Sequence, residues 1–434
     1  MDSFLRNHLL YLLCALLGTV AAEALAAVDA ISNWWHAVVC ALLSLLPKAR
    51  VRFRVHRPAA GYCPAVLVTG TSSGIGHDIA VALAARGYTV FAGVRSWEDG
   101  ARVESDFVAA ANGPVRGSPR PRAQEQQQQQ QQQQRQRRRR TAHRPAAPGS
   151  GTPGTIVPVI LDVSSSESID QAYEHVAKEL RARRIPLVGV VNNAGVTASG
   201  PMDMSAPAFV DHCMAVNFHG PVRVTQRFMP LLRASGGGGR VVNISSIMAW
   251  LVGPGFGVYC ASKAALSAAS RAWHYELAGA GISVSVLEPG ITRTPLWAKV
   301  DAQLELHHAR LNGIRPEKRP RGLAAMPGDE AIASAPPRSD SPPPDAAAAT
   351  TTDDDHAMYT PMIRRIRHSN ELAPVLGLST RHAVDAAVHA LSSSYPKAIY
   401  RVGWDARLMS LATWAASDEV VEWLCRATGI VSED

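Results

Sequence analysis

The chain has 434 residues, 47% of them hydrophobic, and a formal net charge of +8, which is apolar material enough for one large domain or two ordinary ones. Nine arginines against a single acidic residue, Glu125, between Gly113 and Thr155 account for that excess, so the remainder is close to neutral and a nucleic-acid-binding body is disfavoured. The six cysteines are scattered without a Cys-x-x-Cys pair or a His/Cys cluster, a pattern of reduced thiols with no metal site.

Residues 1–57 read as an apolar, membrane-associating segment with a basic flank. Two apolar stretches, Leu9 to Ala22 and Ala30 to Leu46, are interrupted by Glu23 and Asp29 and followed by Lys48, Arg50, Arg52, Arg54 and Arg57. Neither is a clean run of about 20 residues. A signal peptide ending near Ala21-Ala22, a signal anchor, a hairpin in one leaflet and an amphipathic pair packed on the body all remain open. Reduced cysteines and the basic flank favour attachment to a membrane, expected at the endoplasmic reticulum with residues 58–434 in the cytosol. Trp34 and Trp35 suit an interface.

From Ala65 the pattern becomes short β-branched runs separated by helix-length segments. The runs are Ala65 to Thr69, Thr89 to Val94, Ile156 to Leu161, Leu187 to Val191, Arg240 to Ile244, Ser283 to Leu287 and Ala398 to Val402. They predict an α/β fold: one doubly wound, Rossmann-type parallel sheet of about seven strands with helices on both faces. Two segments break the rhythm with the composition of disorder. Gly100 to Gly154 carries Gln126 to Gln134 and Arg137 to Arg140, and Asn312 to His356 is rich in proline, alanine and aspartate. Both are expected to be solvated insertions; RNA binding through Arg135 to Arg144 is the disfavoured alternative.

The first run leads into Thr69-Gly70-Thr71-Ser72-Ser73-Gly74-Ile75-Gly76, a glycine-rich turn opening a helix near Ile75. Such a turn lets the backbone approach a pyrophosphate and presents unpaired helix N–H groups to the anion. The second run ends in Val94-Arg95-Ser96 without a carboxylate, and Arg95 stands where a guanidinium binds a 2′-phosphate. NADP(H) is therefore favoured, with NAD(H) possible.

Tyr259 and Lys263 are four residues apart and share a helix face, so the Lys263 ammonium is expected beside the Tyr259 phenol, favouring its ionised form. A free tyrosine titrates near about 10, and a stabilised phenolate becomes a usable acid or base near neutrality. Between Ser246 and Tyr259, Met248, Trp250, Leu251, Val252 and Phe256 are equally suited to core or to the wall of an apolar pocket.

The order Gly70-x-x-x-Gly74-x-Gly76, Asn192-Asn193-Ala194-Gly195, Ser246, Tyr259-x-x-x-Lys263 and Pro289-Gly290 resembles the short-chain dehydrogenase/reductase family, plainly over Ala65 to Asp301. Tyr259-Cys260-Ala261-Ser262-Lys263, Glu288-Pro289-Gly290 and Tyr400 to Ala406 are similar to the branch of retinol dehydrogenases, 17β-hydroxysteroid dehydrogenases and 3-hydroxybutyrate dehydrogenase. The resemblance implies that Tyr259 is the acid/base, that Lys263 lowers its pKa and holds the nicotinamide ribose, and that Ser246, by its spacing of thirteen from the tyrosine, polarises the substrate oxygen while Ser245 faces the structure. It implies that Asn217 holds a relay water. Gly70, Ser72, Ser73, Gly74, Ile75, Gly76, Arg95, Asp162, Val163, Asn192, Ala194, Gly195, Pro289, Gly290, Thr292 and Thr294 would line the cofactor, Thr292 departing from the usual Val or Ile. The expected enzyme interconverts an alcohol with a ketone or aldehyde on a lipophilic substrate, a retinoid, sterol or acyl derivative, as a homodimer or homotetramer. A nucleotide-binding scaffold or redox sensor without turnover is the alternative.

Overall fold

The computed structural model describes residues 51–59, 61–112, 154–311 and 353–415. The two apolar N-terminal stretches and most of both insertions lie outside the described residues. Seven parallel strands, β1 (Ala65–Thr69), β2 (Thr89–Val94), β3 (Thr155–Ile160), β4 (Leu187–Asn192), β5 (Arg240–Ile244), β6 (Ser283–Pro289) and β7 (Ile399–Val402), form one sheet in the order 3-2-1-4-5-6-7. Every residue of β1, β2, β4, β5 and β6 is buried. A parallel strand covered on both faces needs an almost unbroken apolar run, which is why these strands are readable without alternation. Relative to expectation, β3 begins one residue earlier, β6 runs on to Pro289 and β7 starts at Ile399.

Helices α1 (Gly74–Ala84), α2 (Trp97–Asn112), α3 (Ser166–Arg183), α4 (Pro207–Met214), α5 (Gly220–Arg233), α6 (Gly257–Glu276), α7 (Leu296–Leu311), α8 (Asp353–Leu376), α9 (Arg381–Ser392) and α10 (Trp404–Ala415) accompany the sheet. One face is covered by α1, α2 and α9, which contribute Ile79, Leu83, Val103, Phe107, Ala387 and Leu391 to a single apolar cluster. The other carries Ile169 and Val176 of α3 with Val224 and Phe228 of α5. Phe228 is fully buried and meets the Tyr173 ring edge-on at 5.5 Å; side chains of this size contribute about 1.5–3 kcal/mol each when removed from water.

Both insertions are shorter than their composition suggests. The segment expected to be disordered from Gly100 is helical as far as Asn112, held by Val103 and Phe107 one turn apart on a helix whose other positions are largely polar. The second gives way to α8 at Asp353. A further departure is Arg240, fully buried at the start of β5. Its guanidinium donates to the carbonyls of Arg54 (2.7 Å) and Ser393 (3.2 Å) and lies 5.3 Å from the Phe53 ring. Burial lowers its pKa to about 10, and the carbonyls supply what a carboxylate otherwise would.

Candidate active site

In a sheet of this order the chain winds outward from β1 to β3 and then returns to place β4 beside β1, opening a crevice at the carboxyl ends of those two strands. Asn193 closes its floor. Its backbone N–H and that of Ala194 each donate to Thr69 Oγ1 at 3.0 Å, and its amide donates to the carbonyls of Thr69 (3.1 Å) and Gly70 (2.9 Å). Gly70 has φ of +66°, and a Cβ there would lie 2.7 Å from Ala194 Cα, so no other residue fits both the conformation and the approach. At Gly76 a Cβ would lie 2.2 Å from Asn193 Nδ2 and 2.4 Å from the Gly70 carbonyl oxygen.

The turn therefore fits tightly onto β4, leaving α1 to present its N-terminus outward. Ser73 occupies the N-cap but makes no side-chain capping bond, so the first-turn N–H groups are left for another acceptor. This uncapped N-terminus beside a glycine turn fits the diphosphate of a dinucleotide. Gly74 looks across at Thr294, whose Cγ2 lies 3.6 Å from a Cβ built on it, so two of the expected cofactor residues face each other. Ile75 packs against the core beneath. Arg95 is exposed at the end of β2, and Arg102 of α2 donates to the Ser72 carbonyl at 3.0 Å while pairing with Asp99.

Asp162 accepts from the Ser164 backbone (2.9 Å) and hydroxyl (2.6 Å), stiffening the bend after β3, and Val163 is buried against Gly220. Asn192 departs from expectation. Its amide turns into the sheet, donating to Thr225 Oγ1 (2.9 Å) and Asn243 Oδ1 (2.8 Å), because an asparagine still inside a fully buried strand must find its partners there. Its neighbour Asn193 does the work at the crevice. Gly195 adjoins both Asn217 and Lys263: a Cβ on it would meet Asn217 Oδ1 at 3.4 Å and Lys263 Nζ at 3.5 Å.

Asn217 sits in a π-helical turn, Ala215–His219, joining α4 to α5. Its side-chain oxygen accepts from Val196 N (2.8 Å), and its amide donates to Val196 O (2.9 Å) and Ser262 Oγ (3.0 Å). The side chain is thus committed to the fold. Pro221 has no N–H to give the Asn217 carbonyl four residues earlier, which removes that carbonyl's α-helical donor and suits it to hold a water.

Ser246 follows β5, its hydroxyl accepting from Met248 N at 3.2 Å and standing near enough to the Tyr259 phenol to lower that group's pKa. Ser245 turns inward, donating to the Lys263 carbonyl at 2.9 Å, as the spacing predicts. Tyr259 as a residue keeps some contact with solvent, yet its hydroxyl is set among enough protein that burial pushes its pKa up to about 12, against the lowering effect of Ser246. Lys263 is buried, donates to the Ile244 carbonyl at 2.9 Å, lies 5.8 Å from the centre of the tyrosine ring, and is lowered by burial to about 8. Burial therefore dominates the pKa of both groups, and the neighbour that lowers Tyr259 here is Ser246, where Lys263 was expected.

At the end of β6, a Cβ on Gly290 would lie 2.0 Å from Asp405 Oδ2, and that carboxylate accepts from Ile291 N at 2.8 Å. Asp405 thus braces the Pro289-Gly290 turn from 114 residues away. Thr292 donates to the Gly290 carbonyl (3.0 Å), and its own carbonyl accepts from Trp297 Nε1 (2.8 Å), so its role is local.

A model of the short chain dehydrogenase family matches residues 135–305. Human retinol dehydrogenase 5 is 30% identical over 272 residues, which cover 61% of this chain and 72% of that protein. The chain belongs to the short-chain dehydrogenase/reductase family. Rat mitochondrial D-beta-hydroxybutyrate dehydrogenase is 29% identical, with 64% of this chain and 68% of that one covered. The uncharacterized oxidoreductase YbbO of Escherichia coli K12 is 32% identical over 53% of this chain, which spans 66% of that relative's length. Among solved structures, a short-chain dehydrogenase from Burkholderia phymatum in complex with NAD has a TM-score of 0.52 at 18% identity, covering 85% of this chain and 97% of that one. One from Streptomyces avermitilis gives 0.50 at 24%, covering 85% and 98%. Their likeness is of fold. As a member of an oxidoreductase family that uses nicotinamide cofactors, this short-chain dehydrogenase/reductase has, besides the expected residues, Asn193, Asp405 and Glu288 in supporting positions. Asn193 had a signal in the Asn-Asn-Ala-Gly motif and Asp405 in the segment Tyr400 to Ala406, though only the fold brings Asp405 to the Pro289-Gly290 turn.

Proposed function

We propose that the protein interconverts an alcohol and a ketone or aldehyde on a lipophilic substrate with NADP(H). The observation that carries this reading is the Ser246 hydroxyl beside the Tyr259 phenol, whose pKa it lowers, with the Lys263 ammonium buried 5.8 Å from the ring. Two hydroxyls aimed at one place hold a carbonyl oxygen where negative charge develops. In reduction, Tyr259 gives its proton to that oxygen; in oxidation it takes one back. A bound nicotinamide supplies or accepts the hydride. A phenol pushed up to about 12 is protonated at neutral pH, which suits the acid role directly. As a base, Tyr259 depends on Ser246 and on a charged Lys263 to stabilise the phenolate. Lys263 beside Gly195 and Asn217 is suited to hold the nicotinamide ribose, and the Asn217 carbonyl to hold a water that exchanges protons.

Preference for NADP(H) is supported by Arg95 and by Lys299 of α7, whose pKa is lowered by burial and then by the Arg95 guanidinium. A second cation whose field reaches Arg95 adds to the positive potential that favours a dianion there. A lipophilic substrate is supported by the apolar cluster where Phe256, Met204, Trp297 and Val300 pack with Ile363 and Ile366 of α8; the family resemblance implies a substrate cover in the sequence after Asn312, between α7 and α8. Trp250, by contrast, is committed to Glu288 and Arg401. The same reading assigns residues 1–57 to membrane attachment at the endoplasmic reticulum, residues 58–434 to the catalytic domain, and α5 and α6 to association of two or four copies. Among the described residues no helix is long and apolar enough to cross a membrane.

The test is NADPH oxidation by the full chain against retinal, steroid ketones, acyl ketones and small aldehydes. Tyr259→Phe is expected to bind NADPH normally and to lose about 10²–10⁴ in turnover; undiminished turnover refutes the mechanism. Arg95→Ala is expected to weaken NADPH about tenfold or more with NADH little changed, and a wild-type preference for NADH ends the cofactor assignment.

A further inference from the structure

We propose that Glu288 is a positioning residue that holds the Ser246 segment against Tyr259 by gripping it at both ends. The inference rests on the reading of Ser246 and Tyr259 as the reacting pair. Glu288 lies in β6, directly beyond Leu287, whose carbonyl accepts from Ser245 N at 2.8 Å. Its carboxylate is buried and divides its two oxygens between two parts of the structure. Oε1 accepts from Ser267 Oγ at 3.0 Å, and Ser267 also contacts Ser245 Oγ at 2.9 Å. Oε2 accepts from Trp250 Nε1 at 3.0 Å.

Ser245 and Trp250 bracket Ser246. At the first end, Ser245 Oγ faces Ser267 Oγ and the Lys263 carbonyl, one helical turn apart on α6, the helix that also carries Tyr259; with Ser267 donating to Glu288, the single Ser245 proton is divided between these two acceptors. At the second end, the indole is locked by its N–H to Glu288 and by the Arg401 guanidinium 5.4 Å from its ring, with Arg401 Nε 3.9 Å from the same carboxylate oxygen. Between these ties the backbone makes only a short turn, Ile247–Ala249, capped by Ser246 itself. One carboxylate thus sets the position of a hydroxyl that it does not touch.

Removing both acceptor oxygens leaves the Trp250 N–H without its acceptor and Ser267 with Ser245 alone, which releases the second end of the segment and loosens the first. Displacement of a catalytic hydroxyl by an ångström or less costs about ten- to a hundredfold in turnover. An amide at 288 preserves the grip, since its oxygen can accept from Trp250 while its NH₂ donates to Ser267 Oγ.

The experiment compares Glu288→Leu, Glu288→Gln, Ser246→Ala and the Ser246→Ala/Glu288→Leu double variant in the full chain, with NADPH oxidation read on all-trans-retinal and on phenanthrenequinone. Expected are a ten- to hundredfold loss of kcat for Glu288→Leu with NADPH affinity unchanged, recovery to within about threefold in Glu288→Gln, and less than about twofold further loss when Glu288→Leu is added to Ser246→Ala. Additive losses, a Gln variant as impaired as Leu, or a Leu variant within twofold of wild type overturn the proposal. Should Glu288→Leu not fold, Trp250→Phe and Ser267→Ala each release one end, and the same non-additivity with Ser246→Ala is required of them. Amide hydrogen exchange needs no substrate: Glu288→Leu must speed exchange across residues 245–256 and leave β5 protected, and unchanged exchange there refutes the grip. Tyr259→Phe is assayed in parallel; if it keeps full turnover, the acid/base reading fails independently of Glu288.

Discussion

Lys263 shows how a residue suited to chemistry is badly suited to stability. Its ammonium is buried and donates to the Ile244 carbonyl, and burial lowers its pKa from 10.5 to about 8. Below pH 8 the folded and unfolded chains both carry the proton, and the full cost of the buried charge, about 3 kcal/mol, is present. Between about pH 8 and 10 the unfolded chain binds more protons than the folded one, so stability rises with pH in that window as the cost is relieved. Lys263→Met is expected to stabilise the protein at pH 7 by about 1–3 kcal/mol, the loss of the donor to Ile244 offsetting part of the gain, and to abolish turnover. Urea unfolding at pH 7 and pH 9.5 checks both parts: the variant should have lost the wild-type increase in stability between the two, and an increase that persists would place its origin elsewhere. Sequence pattern predicted the pair but not this balance, because i,i+4 spacing fixes a shared helix face and says nothing about how deeply the face is buried.

At the scale of elements, the readable parts were those where burial forces the composition. β1, β2, β4, β5 and β6 are covered on both sides and so appear as unbroken apolar runs. Helix α2 was obscured because only Val103 and Phe107 anchor it to the core, and its polar remainder merges with the low-complexity stretch that follows. Asn192 and Asn193 were indistinguishable as neighbours in one motif; the end of β4 falls between them, sending one amide into the sheet and the other to the glycine turn. Asp405 stood inside the Tyr400 to Ala406 segment, but its partner was unreadable for a different reason, since the turn that it braces is more than a hundred residues distant. The fit of the turn onto β4 makes a prediction of its own. Gly76→Ala places a methyl 2.2 Å from Asn193 Nδ2 and 2.4 Å from the Gly70 carbonyl, so either α1 or the Asn193 loop must retreat. Overpacking of this kind costs about 1–3 kcal/mol, and because the retreat misaligns the α1 N-terminus, NADPH affinity should fall together with Tm. A variant that loses stability but binds NADPH normally would show that the cofactor does not depend on this contact.

For the whole molecule, the question is what the Gln/Arg-rich insertion contributes to the domain that it interrupts. Helix α2 returns across the sheet from the carboxyl end of β2, so Asn112 and Gly154 both lie at the edge where the strands begin, away from the Ser246 and Tyr259 edge. Gly154 is fixed there on its own account: its N–H donates to the Ala84 carbonyl at 2.9 Å, and a Cβ on it would lie 2.0 Å from the Tyr88 carbonyl oxygen. The insertion thus joins two points that the core already holds, and the entropy of closing such a loop changes only slowly with its length. Replacing residues 113–153 with a short Gly/Ser linker is expected to leave NADPH affinity within about twofold and to change stability by about 1 kcal/mol or less, while removing the nine arginines that carry the formal excess charge. Any salt-sensitive affinity of the full chain for RNA should vanish with it, since polyanion binding depends on the number of cations engaged. The measurements are NADPH titration, thermal unfolding and RNA binding at two salt concentrations on both proteins. A loss of cofactor affinity in the shortened chain would mean that the insertion acts on the crevice despite being attached at the opposite edge of the sheet.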